Sequence, residues 1–332
     1  MKKIAVFLAL TSAFVLLSGL ACADPLFYID FDRKPDMHMD PGDIYPIEWD
    51  ERATSVTAIF ADGLSGADGP DISVPNGDGV DFPDTFGPQG GRVLFIESGQ
   101  IEEGFNIEMS DVYDIGDYTV EVCFWISTND LTNNSYTLQN IWTNAWPWGD
   151  GFSAILRVIG SKAADWPISR PDDVKTLELA IFQPDGEKRI NTSGEISAQE
   201  WHTSQMVFDY NEADPTNCTI SAYLDGSLTG TATYDCTVTG TRPDTTTVVT
   251  NKFWPTWGTP STDGARYDIG SYRYFLGCSE SRQVNFTDWR GMKGAIDAFC
   301  ISGEALSPGE FVLPGGFNPP APTSADSWAI YE

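Results

Sequence analysis

The stretch Tyr118–Ser127 reads Y-T-V-E-V-C-F-W-I-S and constrains this chain more than any other. Val120, Val122, Phe124 and Ile126 alternate with Glu121, Cys123 and Trp125, the period of two that an extended strand turns into two faces. The first face is core. The second sets a charge beside an aromatic and is expected to be partly wet, as on the outer side of a two-layer sandwich. Helical periodicity is almost absent elsewhere. Short β-branched and aromatic segments recur instead between Gly, Pro, Asn and Asp clusters, among them Leu26–Phe31, Arg92–Glu97, Phe152–Ile159, Thr176–Phe182, His202–Tyr210 and Ala295–Ser302. Asp225-Gly226, between two alternating runs, is the strongest hairpin signal. The pattern predicts an all-β, two-sheet antiparallel sandwich with very little helix.

Lys2 and Lys3 precede an apolar run from Ile4 to Leu17, and Ala21-Cys22-Ala23 follows before Asp24-Pro25. That is the layout of a signal peptide over 1–23, so a secreted, extracellular protein is expected. The run is too short for a stable membrane span, and no second long apolar stretch follows. An alternative is a lipid anchor on Cys22, although Gly19 stands where a lipobox has Leu. The region 24–312 reads as one β domain with a long Asp-, Gly- and Pro-rich insertion over 33–91, expected to carry one extra strand pair. Residues 313–332 read as a Pro-rich tail with a short apolar tip at Trp328–Tyr331.

Without Lys2 and Lys3 the chain holds 17 basic residues against 48 acidic ones, a net charge near −31. Such a surface repels nucleic acids and anionic membranes. It could also hold Ca2+ through carboxylate and carbonyl oxygens. Candidate loops are Asp209–Asn217 and Asp111–Asp117, neither with the D-x-D-x-D-G spacing of a calcium loop. Five cysteines remain after position 23: Cys123, Cys218, Cys236, Cys278 and Cys300. An odd count leaves one unpaired or intermolecular. Cys218 and Cys236 flank the Asp225-Gly226 hairpin almost symmetrically, so a disulfide across its open end is geometrically reasonable.

Tryptophans cluster in two stretches, Ile141–Gly151 with Trp142, Trp146 and Trp148, and Asn251–Pro260 with Trp254 and Trp257. Beside Pro and Gly, such rings offer flat apolar faces on which sugar C–H groups stack, while nearby Asp and Asn take hydroxyl bonds. The alternative is that the rings pack on each other or plug the sandwich. The two histidines, His38 and His202, leave no room for H-E-x-x-H or a convincing Ser-His-Asp set.

Six ordered landmarks carry a family resemblance. Gly294-Ala295-Ile296-Asp297-Ala298-Phe299-Cys300-Ile301, followed by Ala305-Leu306-Ser307-Pro308-Gly309-Glu310, resembles the ending of laminin G-like (concanavalin A-like) jelly rolls. Leu26–Phe31, Tyr118–Glu121, Glu200-Trp201-His202 with Val207-Phe208-Asp209, Tyr223–Gly226 and Ile269-Gly270 fall in the expected order. The resemblance implies a jelly roll over 26–311 that places Cys123 and Cys300 on one outer face of neighbouring strands, and hence a Cys123–Cys300 disulfide with Cys278 as the odd thiol. It also implies a range of functions, from glycan and protein binding to adhesion and modules on enzymes. Glycan-cleaving relatives carry closely spaced acids such as E-x-D-x-x-E on one strand face. Here Glu121 stands alone, with Cys123 and Trp125 at the next positions, and a structural role is expected for it. The reading is therefore a non-catalytic binder of extracellular polysaccharide or glycoprotein. A structural or adhesive protein is the alternative, and a glycoside hydrolase or polysaccharide lyase the third. Catalytic residues and oligomeric state are not assigned.

Overall fold

The computed structural model describes residues 25–32, 37–38, 44–45, 48–49, 55–60, 71–73, 86–96, 105–110, 117–127, 138–143, 153–159, 176–183, 186–197, 199–237, 239–241, 248–250, 271–277 and 292–313. They hold twenty strands and no helix. The first eight are β1 (Pro25–Ile29), β2 (Met37–His38), β3 (Ile44–Tyr45), β4 (Glu48–Trp49), β5 (Ser55–Phe60), β6 (Asp71–Ser73), β7 (Val93–Ile96) and β8 (Phe105–Ser110). Six more follow: β9 (Tyr118–Ile126), β10 (Leu138–Thr143), β11 (Ser153–Ile159), β12 (Thr176–Gln183), β13 (Gly186–Glu195) and β14 (Trp201–Asp209). The last are β15 (Cys218–Leu224), β16 (Ser227–Tyr234), β17 (Thr239–Thr241), β18 (Val248–Thr250), β19 (Ser271–Leu276) and β20 (Gly294–Ser302).

Every pairing is antiparallel. One sheet, which we term A, runs β16-β15-β14-β9-β20-β7-β6-β2, with β1 on β20 and β4 on β1. Sheet B runs β13-β12-β11-β10-β19-β8-β5-β3, and β17-β18 form a separate pair. The architecture is the expected two-sheet antiparallel jelly-roll sandwich. The 33–91 segment differs from expectation. Its described part contributes five strands rather than one pair, and these extend both sheets. No helix among the described residues is long and apolar enough to cross a membrane.

The core lies between the sheets. Val120, Val122, Phe124 and Ile126 of β9 join Met206, Phe208, Ile220, Ala222, Ile296, Phe299 and Ile301 from sheet A, and meet Ile107, Leu156, Val158, Leu177, Leu179 and Tyr274 from sheet B. The alternation read from sequence therefore sorts β9 correctly. Its other face departs from expectation. Cys123 and Trp125 are buried, in a second cluster with Val93, Phe95, Trp201, Ala295, Ala298 and Leu313. The outer face of sheet A is covered over β9 and its neighbours, where a half-wet surface was expected, while β15 and β16 stay partly exposed.

Part of that cover is the segment after β20, and local chemistry turns it back over the sheet. Glu310 accepts hydrogen bonds from the Ser307 amide (2.9 Å) and hydroxyl (2.7 Å), a reciprocal turn of capping-box type that explains the A-L-S-x-x-E landmark. Thr119 Oγ1 donates to the Glu304 carbonyl at 2.7 Å and accepts from the Leu306 amide at 3.0 Å. Phe311 then meets Tyr223 edge-on, centroids 5.1 Å apart.

The disulfide expectations are corrected. Cys123, Cys218, Cys236 and Cys300 are all buried and none is in a disulfide. Cys123 and Cys300 do share the outer face of adjacent strands, but Cys123 faces Ala298 and Cys300 faces Glu121. They are diagonal neighbours, about 7–8 Å apart at Cα in such a ladder, beyond the reach of a bridge. Cys218 faces Tyr234 in the hairpin, and Cys236 lies two positions on. The Cys218 thiol donates to the Pro215 carbonyl at 3.4 Å, and the Cys236 amide donates to that same carbonyl at 2.8 Å.

Candidate functional site

Glu121 is the strand carboxylate that a hydrolase reading would need, and its surroundings assign it to structure. It is fully buried, and its Oε1 and Oε2 accept the amides of Val312 (3.0 Å) and Leu313 (2.9 Å). Gln205, opposite it on β14, donates through Nε2 to the Leu313 carbonyl at 3.1 Å. Burial raises the Glu121 carboxyl to about 7, with the two amides and Gln205 pulling the other way. Each oxygen of Glu121 thus holds one amide of the segment after β20.

His202 is likewise a structural group, as its landmark implied. Nδ1 lies 2.9 Å from the Asp225 carboxylate and Nε2 3.0 Å from the Ser197 carbonyl. Both partners are acceptors, so the ring is held with a proton on each nitrogen. Burial lowers its pKa, but the hydrogen bond and charge of Asp225, helped by Ser197 and Glu200, outweigh it and raise the net value. Asp225 itself opens a two-residue hairpin whose central residues take φ 50° and 75°, the signs of a type I′ turn. Its second oxygen accepts the Thr203 amide at 2.9 Å, and its own amide donates to the Thr203 carbonyl.

Of the proposed ligand-facing tryptophans, Trp142 is withdrawn. It is fully buried in the main core with its ring 5.9 Å from that of Tyr274. A register shift between Asn140 and Trp142 lets Ile141 and Trp142 both enter the core. Trp146, Trp148, Trp254 and Trp257 lie outside the described residues. The first tryptophan stretch continues from Thr143, which faces Phe275 on β19. The second follows β18 and is separated from β19 by residues 261–270.

Among the described residues, the candidate calcium loop Asp209–Asn217 is held by its own backbone. Asp214 Oδ1 is bound by the Thr216 amide and hydroxyl, and Asn211 Oδ1 by the amides of Ala213 and Asp214. The loop is an exposed turn satisfied by its own backbone. Of Asp111–Asp117 only Asp117 is described, and it accepts the Tyr210 amide at 2.6 Å.

One carboxylate was overlooked in the sequence. Glu178 sits between Leu177 and Leu179, which face the core, so it occupies the outer side of sheet B, yet it is fully buried. Arg157 and Asn191 stand opposite it on β11 and β13. A lone charge inside the apolar run T-L-E-L-A is the signal that could have marked it.

No protein family profile matches the chain, and no curated protein matches it. Solved structures do. Domain 4 of AbnA, a GH43 extracellular arabinanase from Geobacillus stearothermophilus, in complex with arabinotriose, is 14% identical; the match covers 87% of this chain and 96% of that one, with a TM-score of 0.42. A heptameric SAP-like pentraxin from Limulus polyphemus is 15% identical over 58% of this chain and 67% of its own, with a TM-score of 0.34. Alginate lyase vAL-1 from Chlorella virus is 9% identical over 66% and 86%, with a TM-score of 0.35. At these identities the likeness concerns the sandwich fold and nothing finer.

Proposed function

We propose that this chain is an extracellular, laminin G-like glycan-binding module whose tryptophan stretches grip the sugar. The observation that carries the reading is one of sequence: besides the buried Trp142, four tryptophans fall in two Pro-containing stretches, one of which follows β10 directly. Rings supplied from two such places can flank one saccharide, stacking on its C–H faces as aromatic-lined sites do. One further finding supports it: Glu121 and His202 are committed to structural hydrogen bonds. Affinity electrophoresis against neutral and acidic polysaccharides tests the proposal, with Trp146→Ala and Trp254→Ala in parallel. Each substitution is expected to weaken binding by roughly two- to tenfold, the worth of one stacked ring. Binding that persists in both variants overturns it.

A second reading has one foothold, the buried Glu178 between Arg157 and Asn191 on the sheet B row. It belongs to a glycan-cleaving enzyme. New reducing ends or unsaturated products, lost in Glu178→Gln, would establish catalysis in place of simple binding.

A further inference from the structure

Sheet A ends at β16 on one side and at the two-residue strands β2 and β4 on the other, and sheet B ends at β13 and at the two-residue β3. A strand of two residues offers almost no template for a foreign chain. β13 is ten residues long, but Glu187, Lys188, Arg189 and Glu195 punctuate it with charge, the usual guard on a sheet edge. β16 has neither protection. Ser227–Tyr234 reads S-L-T-G-T-A-T-Y, eight residues without a charge or a proline. Among the described residues no strand pairs with its free side.

The edge is open and largely regular. Ser227, Leu228, Thr231 and Thr233 are exposed. Leu228, at 56%, is with Phe86 one of the two large apolar side chains so exposed among the described residues. The ladder to β15 shifts register only at Thr229, whose hydroxyl donates to the Ala222 carbonyl at 2.9 Å. From Gly230 to Tyr234 the pairing is continuous, with Ala232 and Tyr234 turned to the core and Thr231 and Thr233 to the outer face. In such a strand every second residue points its N–H and C=O away from the sheet, towards whatever lies beside it.

Two properties decide what fits there. Gly230, Thr231, Ala232 and Thr233 are small, so alternate positions supply no pocket that would select a foreign side chain. The chain carries a net charge of −29, so copies repel each other, least where no charge is opposed, as along this edge. We propose that β16 is a self-association edge, on which a second copy of this chain pairs antiparallel about a two-fold axis at Ala232 and continues sheet A. That symmetry sets Thr231 of one copy against the partner's Thr233, a favourable cross-strand pair. Asp235, just past the strand, falls opposite the partner's Thr229 and meets no acid there.

Sedimentation velocity on the full chain, from micromolar to submillimolar concentration, tests the proposal. A monomer–dimer equilibrium is expected, and raising the salt from about 0.15 M to about 1 M should tighten it roughly tenfold as the acidic copies are screened from each other. Thr231→Lys combined with Thr233→Lys places the missing guard on the edge. Both positions are exposed, so the double variant should fold with an unchanged melting temperature and stay monomeric. Glu212→Lys, in an exposed turn, alters the net charge equally and should leave the dimer in place. If the double variant does not fold, Thr233→Lys alone decides by the same criterion. A natural chain that is monomeric at every concentration and salt overturns the proposal and leaves the edge to a foreign strand. So does a dimer that survives the lysines, or one that Glu212→Lys disrupts as strongly.

Discussion

Replacing Glu121 by Gln tests how the covered face of sheet A is held. The group is buried, accepts two amides, and has its carboxyl raised from 4.5 to about 7 by burial. Between those values the folded chain keeps a proton that the unfolded chain has released, so stability falls as pH rises through the window. With these two values the loss from pH 5 to pH 8 is about 2–3 kcal/mol. A glutamine cannot titrate. Whatever the amide costs in packing or in its mismatch with the second N–H is the same at both pH values and cancels in the comparison. Urea unfolding of both proteins at pH 5 and pH 8 should show the natural chain losing about 2–3 kcal/mol more than the variant. His202 and every other titrating group contribute equally to the two proteins. Equal pH dependence in the two, or a steeper dependence in Glu121→Gln, would refute the reasoning.

The His202–Asp225 pair works in the same pH direction for the opposite chemical reason. Its raised pKa means that the stability it supplies is fully present below about 6.5 and is lost as pH climbs through the folded value, so Asp225→Asn should flatten that part of the profile while the turn survives. NMR titration of the His202 ring, expected above its ordinary midpoint, provides the check. Trp142→Ala should cost about 3–5 kcal/mol in denaturant unfolding and leave glycan affinity per folded molecule unchanged, because its ring belongs to the core. Alkylation followed by mass spectrometry should leave Cys123, Cys218, Cys236 and Cys300 unmodified in the native protein and label all four in denaturant without reductant.

The landmarks legible in the sequence turn out to be those whose physics is local. The β9 alternation survives because each apolar residue needs only its own strand geometry to reach the core. Asp225-Gly226 makes its hairpin because both residues tolerate positive φ. What the sequence hid depends on register across strands. Cys123 and Cys300 share a face as expected, but the register sets Cys300 opposite Glu121 and Cys123 opposite Ala298, two residues apart along the ladder. A bulge also turned Trp142 inward, against the reading that grouped it with Trp146 and Trp148. Glu121 looked half-wet because the segment that covers it lies about 190 residues further along the chain.

The docked Val312-Leu313 segment also sets an orientation. Leu313 rests on the outer side of sheet A, with the whole thickness of the sandwich between it and the outer side of sheet B. Whatever continues from Leu313 departs from the rear of the domain. A partner, surface or fused protein tethered through that end would therefore lie on the sheet A side, away from the outer side of sheet B. The same strap makes the exit point stiff rather than swinging, because two amides and a carbonyl are fixed to β9 and β14 before the chain leaves.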